Sequence, residues 1–160
     1  MLNHFYKYSL FLLTLQTALL GQSIDIGALS EKAANGKKHL LVWLHKNGCG
    51  YCAAMHDYTL DDDKVKSILR NRFNFVSVNT GESDTVIYEN KAYTAKEFAK
   101  KTGYDFYPST LFFDRSGTIV FAVPGYIETK PFLDVLRYVS RNAYLHQSYD
   151  AFKQTRERSQ

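Results

Sequence analysis

The feature that most constrains this chain is its pair of cysteines, Cys49 and Cys52, which are separated by Gly50 and Tyr51 and are the only two cysteines in the sequence. The segment "HLLVWLH" before them is mostly apolar and rich in strand-forming residues, as in a buried strand. Cys49 is therefore predicted in the first turn of the next helix, where free backbone N–H groups and the helix dipole stabilise a thiolate. Because Cys52 lies one turn further on, the pattern predicts a nucleophilic Cys49 and a resolving Cys52.

A close cysteine pair has other uses in proteins. A structural disulfide across two residues closes almost no loop and so stabilises little. Haem attachment needs a histidine directly after the second cysteine, where this chain has Ala53. A zinc site stays open, because the pattern H-x3-C-x2-C-x3-H offers four possible ligands, His45, Cys49, Cys52 and His56. Against zinc, His45 falls at a strand end and His56 lies one turn beyond Cys52.

The rest of the chain alternates between helical and strand patterns. Hydrophobic spacing predicts helices at residues 26–34, 53–60, 61–72, 94–103 and from Thr129 onward, and strands at residues 39–45, 73–80, 109–114 and 118–123. Residues 81–93 lose this pattern and are predicted as an insertion with a short strand and a turn. Thr94 and Glu97 form the capping-box pattern Thr-x-x-Glu at the start of the third core helix. This order predicts an α/β protein with a central mixed sheet flanked by helices.

The first 23 residues have the pattern of a targeting segment. Residues 1–8 carry one lysine and no acidic residue, residues 9–21 are apolar, and Gly21 and Ser23 are small residues suited to cleavage before Ile24. The apolar run is shorter than the ~20 residues of a membrane-spanning helix, so a secretory signal peptide is favoured over a retained membrane anchor. We therefore expect an exported, periplasmic protein with its domain at residues 24–160, in a compartment where disulfides persist.

Length and charge restrict the remaining possibilities. A chain of 160 residues with 45% hydrophobic content suits one globular domain with its own core. The formal charge of +4 falls to +3 without residues 1–23, in which Lys7 is the single charged residue. The basic residues are scattered except in the segment "KQTRERS", so no nucleic-acid partner is expected. The tail, residues 149–160, is predicted as a helix or a loose end.

A second stretch, "YDFYPSTLFFD", places Pro108 at the head of an apolar strand. Proline cannot donate to a sheet ladder, so it marks the first residue of the strand or a bend. Together with the cysteine motif after the first core strand, the hairpin, "PGY" and the terminal helix, this stretch resembles the thioredoxin fold. The segments "CGYCAAMH", "PSTLFFDRSG", "VPGYIETKPFLDVLRYV" and "AYLHQSYDAFK", with the insertion before the capped helix, are similar to SoxW-type periplasmic thioredoxins over residues 29–153.

The resemblance implies a thiol–disulfide oxidoreductase that works without a cofactor. On this reading Cys49 and Cys52 are the redox pair, Pro108 is a cis-proline that faces their disulfide, and Tyr107 pairs its backbone with an extended substrate segment. The resemblance further implies a reductase of periplasmic protein disulfides with a membrane thiol transporter as electron donor. Because no segment resembles the dimerisation domain of disulfide isomerases, a monomer is expected. The alternative is a non-catalytic module that holds zinc at the four residues named above or serves as a chaperone-like groove.

The sequence departs from thioredoxins proper at three places. The cysteines enclose Gly50-Tyr51 rather than Gly-Pro, Trp43 stands where a buried aspartate helps to move the proton of the resolving thiol, and Tyr107 stands where smaller residues are common. The redox potential and the proton route of thioredoxin therefore do not transfer to this chain.

Four residues near the motif have expected places. Trp43 is expected in the core, and Gly125 is expected to keep the backbone close to Pro108 unless it is a plain turn glycine. Tyr51 either lines the substrate groove or faces solvent from the helix. His56 either assists proton transfer from the resolving thiol or is an inert helix residue.

Overall fold

The computed structural model of the protein describes residues 23–82 and 84–158. The predicted signal peptide, residues 1–23, lies outside the described residues except for Ser23. Within the described residues, no helix is long and apolar enough to cross a membrane.

Strands and helices alternate along the chain as the hydrophobic pattern predicts. In chain order the elements are β1 (Ile24–Asp25), α1 (Ile26–Asn35), β2 (His39–His45), α2 (Gly50–Met55), α3 (Asp63–Arg72), β3 (Phe73–Asn79), β4 (Thr85–Tyr88), β5 (Lys91–Thr94), α4 (Ala95–Thr102), β6 (Ser109–Phe113), β7 (Ile119–Pro124), α5 (Thr129–Ser140) and α6 (Tyr149–Glu157). A π-helical turn, His56–Leu60, follows α2, and a short 3-10 helix, Ala143–Leu145, follows α5.

A four-stranded mixed sheet in the order β3-β2-β6-β7 forms the centre of the fold. β2 pairs in parallel with β3 and antiparallel with β6, which continues antiparallel to β7. The interior residues of β2 are all buried, and their side chains alternate between the two faces of the sheet. Leu41 and Trp43 enter one core cluster, and Leu40, Val42 and Leu44 enter the other.

Helices cover both faces of this sheet. Residues of α2, α3, α5 and α6 pack in the cluster that contains Trp43, and residues of α1 and α4 pack in the cluster on the opposite face. The predicted mixed sheet flanked by helices, a thioredoxin fold, is thereby confirmed. Because β2 is central and buried on both faces, the residues that follow its last position start from the well-buried centre of the sheet.

The insertion before the third core helix differs from the prediction of one short strand and a turn. It forms a hairpin of β4 and β5, and β1 joins β4 in parallel to give a separate three-stranded sheet. Glu89 and Asn90 connect the two strands with φ angles of 50° and 60°. Two consecutive left-handed residues are what a two-residue hairpin turn of type I′ requires.

Helix ends follow local side-chain chemistry. Thr94 and Glu97 form the predicted capping box, and α4 stops at Gly103, whose φ of 82° suits glycine. The helix predicted from residue 61 begins two residues later, because the Asp62 side chain accepts the N–H groups of Lys64 and Val65 as its N-cap. The helix predicted over residues 53–60 is not α-helical throughout, since its second half is the π-helical turn. The tail left open between helix and loose end forms α6.

Candidate active site

Cys49 and Cys52 meet at the beginning of α2, where they form a disulfide with their Cα atoms 5.2 Å apart. Cys49 is the N-cap residue with an extended backbone, and the N–H of Cys52 donates a hydrogen bond to Cys49 Sγ at 3.1 Å. Gly48 makes the turn from β2 with a φ of 71°, a conformation that favours glycine. The sulfur of Cys49 therefore accepts a backbone N–H at the N-terminus of α2. This position stabilises a thiolate once the disulfide is reduced.

The two sulfurs differ in their access to solvent. Cys52 is 4% exposed and belongs to the core cluster, whereas Cys49 is half-buried and packs at the edge of that cluster. A sulfur atom of another molecule can therefore approach Cys49 more readily than it can approach Cys52.

Tyr107 and Pro108 lie opposite the disulfide. Their peptide bond is cis, and the carbonyl oxygen of Tyr107 lies 3.7 Å from Cys49 Sγ. Pro108 is buried, and its own carbonyl accepts the N–H of Gly125 at 2.8 Å. Gly125 thus keeps the backbone close to the proline, as predicted, in a conformation with φ of 81°.

Exposed aromatic side chains lie on the cysteine motif and on the loop that is bonded to Pro108. Tyr51 is 71% exposed and Tyr126 is 37% exposed, and their ring centroids lie 6.5 Å apart. Lys46 Nζ lies 5.6 Å from the centre of the Tyr107 ring. Sequence reasoning missed Tyr126 and Lys46 as site residues, although Tyr126 follows Gly125 in the segment "PGY" that carried the resemblance.

A cleft of about 620 Å³ opens beside the disulfide. Its lining includes both cysteines, Trp43, His45 and His56. Trp43 is 5% exposed, as expected of a core residue, and its ring stacks on His45 with the centroids 4.3 Å apart. Trp43 stands where thioredoxins proper have a buried aspartate. Among the described residues no aspartate or glutamate is buried, so no other buried carboxylate takes its place.

The two histidines of the possible zinc set have partners of their own. His45 Nε2 lies 2.8 Å from Ser77 Oγ, and burial lowers the pKa of the His45 imidazole from its ordinary value. His56 Nδ1 lies 2.8 Å from Asp57 Oδ1 on the exposed side of the helix. Over the described part of the chain, no group of three or more histidine, cysteine, aspartate or glutamate side chains is placed to hold a metal ion.

The comparisons with solved structures agree with this fold. A thioredoxin-fold protein from Helicobacter pylori superposes with a TM-score of 0.62 at 20% identity, covering 78% of this chain and 87% of that one. A thioredoxin from Thermus thermophilus gives 0.54 at 27% identity, covering 70% and 78%. The reduced C-terminal domain of DsbD from Neisseria meningitidis gives 0.51 at 17% identity, covering 69% and 90%. Among curated proteins none matches the chain.

Fold and site together define a thiol–disulfide oxidoreductase with a two-cysteine redox centre. The model of the thioredoxin-like domain matches residues 27–140, which include the cysteine pair, the cis-proline and the four-stranded sheet. The chain therefore belongs to the thioredoxin-like family.

Proposed function

We propose that the protein is an exported reductase of protein disulfides in the periplasm. The observation that carries the proposal is the asymmetry of the redox pair, in which a half-buried Cys49 faces the Tyr107 carbonyl and a buried Cys52 lies behind it. Such an arrangement separates the thiol that attacks from the thiol that resolves.

The reaction begins with the reduced protein. The Cys49 thiolate attacks one sulfur of a substrate disulfide, forms a mixed disulfide with it and releases the other substrate sulfur as a thiolate. Cys52 then loses its proton and attacks Cys49 Sγ, which forms the Cys49–Cys52 disulfide and releases the second substrate thiolate. Two electrons pass from the protein to the substrate, and the two substrate thiolates take up two protons.

Tyr107 and Pro108 are proposed to align the substrate. The backbone of Tyr107 lies beside Cys49, so an extended segment that pairs with it brings its own cysteine to the attacking sulfur. Pro108, buried and tied to Gly125, fixes the position of that backbone. This alignment uses the backbone of Tyr107, whose side chain packs against the core on both faces of the sheet.

The remaining parts of the proposal follow from the sequence. The signal-like residues 1–23 support export to the periplasm, and the resemblance to SoxW-type thioredoxins supports reduction rather than oxidation of substrates. Each turnover leaves the protein oxidised, so a dithiol donor must restore it, and a membrane thiol transporter is the donor that the resemblance implies. Fractionation of cells that express the full chain, followed by N-terminal sequencing, tests export and cleavage before Ile24.

Substitution of each cysteine tests the mechanism directly. Cys52→Ser should accumulate disulfide-linked partners that dithiothreitol releases, because the resolving thiol is lost. Cys49→Ser is the matched control and should accumulate none, since the buried Cys52 cannot reach a substrate. If no Cys49-dependent mixed disulfide forms with any partner, the catalytic roles assigned here are wrong.

A redox titration separates the directions of electron flow. A reversible two-thiol transition near ~−270 mV supports a reductase, whereas a potential near ~−120 mV is that of a disulfide donor. If the pair resists oxidation until a chelator is added, the zinc-binding alternative with His45 and His56 replaces the proposal.

A further inference from the structure

A second cavity lies between α3 and β3, and we call it the α3–β3 cavity. Its volume is about 550 Å³, which is within the range of small-molecule sites in proteins. It shares Trp43, His56 and Ser77 with the cleft beside the disulfide, but its lining includes neither of the cysteines, nor Tyr107 or Pro108. The α3–β3 cavity is therefore separate from the surface that the proposed reaction uses.

The interior of the α3–β3 cavity is apolar. Phe73 and Phe75 are alternate residues of β3, so their side chains stand on the same face of the strand. Leu69 lines the cavity from α3, and Trp43 lines it from the neighbouring strand β2. Leu60 is the last residue of the π-helical turn, a form of helix that is frequent at functional sites. Large apolar side chains from four elements thus converge on one space.

The cavity is open to solvent because β3 is an edge strand. Within the described residues, β2 is the single strand that pairs with β3. Phe75 is 37% exposed as a result, although its ring belongs to an apolar wall. Covering such a surface is favourable because apolar area leaves water. A small molecule can therefore enter along the open side of β3 and bury its own apolar part there.

The charged residues of the lining favour an anion. Lys66 and Arg70 lie one turn apart on α3 and so share a face of the helix. Lys66 Nζ is 3.0 Å from Asp61 Oδ1, and His56 Nδ1 is 2.8 Å from Asp57 Oδ1, so these charges are already paired. In the described part of the chain, no carboxylate lies within 4.0 Å of the Arg70 guanidinium. Arg70 is exposed at the rim and can bind a carboxylate through two parallel hydrogen bonds.

We propose that the α3–β3 cavity binds a small carboxylic acid with a hydrocarbon tail, a medium-chain fatty acid in its chemistry. The tail lies against Leu69, Phe73 and Phe75, and the carboxylate pairs with Arg70. Burial of the tail supplies most of the affinity, and the exposed arginine selects the sign of the charge. The inference goes beyond the proposed reductase function and does not rest on it, because the site uses neither cysteine.

Fluorescence of Trp43 tests binding directly. Trp43 is the single tryptophan of the sequence and stands in the wall of the cavity, so its emission reports a ligand at this site. The oxidised full chain is titrated with octanoate, 1-octanol, octyltrimethylammonium and acetate. Octanoate should give a saturable change with a Kd about threefold lower than that of 1-octanol. Octyltrimethylammonium should bind more weakly than 1-octanol, and acetate, which has no tail, should not bind.

Two variants separate the contributions of charge and tail. Arg70→Gln should abolish the preference for octanoate over 1-octanol and leave 1-octanol binding unchanged. Arg72→Gln is the matched control, since Arg72 is also exposed on α3 but does not line the cavity. Phe75→Ala should weaken both ligands by about fivefold, whereas Phe106→Ala, at a residue 50% exposed and outside the lining, should weaken neither.

Isothermal titration calorimetry of the same proteins gives the affinities without relying on Trp43. Three results would overturn the inference. One is the absence of a saturable signal with octanoate by both methods, and another is equal affinity of the wild type for octanoate and 1-octanol. The third is a Phe75→Ala variant that binds octanoate as tightly as Phe106→Ala, which would place the ligand outside the cavity. None of these results bears on the reductase function, because the disulfide stays oxidised throughout.

Discussion

Gly125 donates its N–H to the carbonyl of Pro108 at 2.8 Å, and this one bond joins the loop after β7 to the cis-proline that faces the disulfide. The two residues belong to loops that the sheet brings together, since Ser109 of β6 is in register with Pro124 of β7. The carbonyl of Tyr107, one residue before Pro108, lies at Cys49 Sγ. The position of the backbone proposed to align the substrate therefore depends on the conformation of Gly125.

Replacing Gly125 by alanine should lower both stability and activity. Its φ of 81° lies in the left-handed region, where an L side chain costs about 1–2 kcal/mol even though no atom would crowd the new Cβ within 4 Å. Relief of that strain moves the backbone that holds Pro108, so peptide-disulfide reduction should slow by roughly tenfold or more. Urea unfolding and stopped-flow kinetics measure the two effects.

Gly103→Ala is the matched control for this substitution. Gly103 has a φ of 82° and equally open surroundings, but it ends α4 away from the disulfide. It should lose a similar amount of stability and keep the wild-type rate. If Gly125→Ala keeps the wild-type rate as Gly103→Ala does, the bond between Gly125 and Pro108 does not position the site.

The C-terminal helix should contribute to the stability of the domain. Phe152 of α6 is 6% exposed and its ring lies 5.3 Å from that of Tyr138, while Arg156 pairs with Asp134 of α5. Phe152→Ala should cost about 3 kcal/mol in urea unfolding, as expected for a buried aromatic residue. Leu145→Ala, at a site 64% exposed, should cost less than about 0.5 kcal/mol. A loss at Phe152 as small as that at Leu145 would mean that α6 is not packed in solution.

Much of this fold could be predicted because its elements have strong local patterns. The buried strand before Cys49, the capping box of Thr94 and Glu97 and the stop at Gly103 each depend on residues within one element. The position of Cys49 at a helix start follows from its distance to that strand. Local pattern therefore identified the redox pair and the architecture around it.

Features that depend on tertiary contacts could not be predicted from local sequence patterns. The sequence predicted one strand and a turn in the insertion but not the second strand of the β4–β5 hairpin, whose turn uses Glu89 and Asn90 in place of glycine. Tyr126 approaches Tyr51 because loops distant in sequence meet at one end of the sheet. Only the three-dimensional arrangement shows that an exposed tyrosine in the cysteine motif has an aromatic neighbour.

Acid should weaken the start of α4 through Glu97. The backbone N–H of Thr94, and then its hydroxyl, hold the pKa of the Glu97 carboxyl below its ordinary value. A carboxyl whose pKa is lower in the folded than in the unfolded protein stabilises the fold fully at a pH above its unfolded pKa, which is about 4.3 for glutamate. This stabilisation is lost as the pH falls through the pKa of the folded state. The stability difference between wild type and Glu97→Gln should therefore be largest at pH 7 and shrink below about pH 4.

Urea unfolding at pH 7, 5, 4 and 3 measures that difference. Glu31→Gln is the control, because Glu31 is exposed and its nearest cation is Arg115 at 4.0 Å. A difference at Glu97 that does not change with pH would show that the carboxylate charge has no part in the cap.

Protonation of His39 should also destabilise the protein, but in a higher pH range. Burial lowers the pKa of His39 from its ordinary value of 6.5, outweighing the opposite effects of Asn142 and Asp114. The ring packs against Phe73, and its Nε2 lies 3.3 Å from the Tyr144 hydroxyl. Because the unfolded chain binds the proton more readily, stability is full above about pH 6.5 and falls as the pH is lowered toward the folded pKa.

His39→Gln should therefore flatten the pH dependence of unfolding between about pH 5 and 7. His45, whose pKa burial also lowers, still contributes, so the slope should decrease without vanishing. His146→Gln is the control for the loss of a histidine, since the His146 side chain is exposed. Urea midpoints collected at half-unit pH steps give the slope for each variant. If the His39→Gln variant keeps the wild-type slope, as the His146→Gln variant does, the half-buried His39 imidazole does not titrate with folding and the proton uptake lies elsewhere.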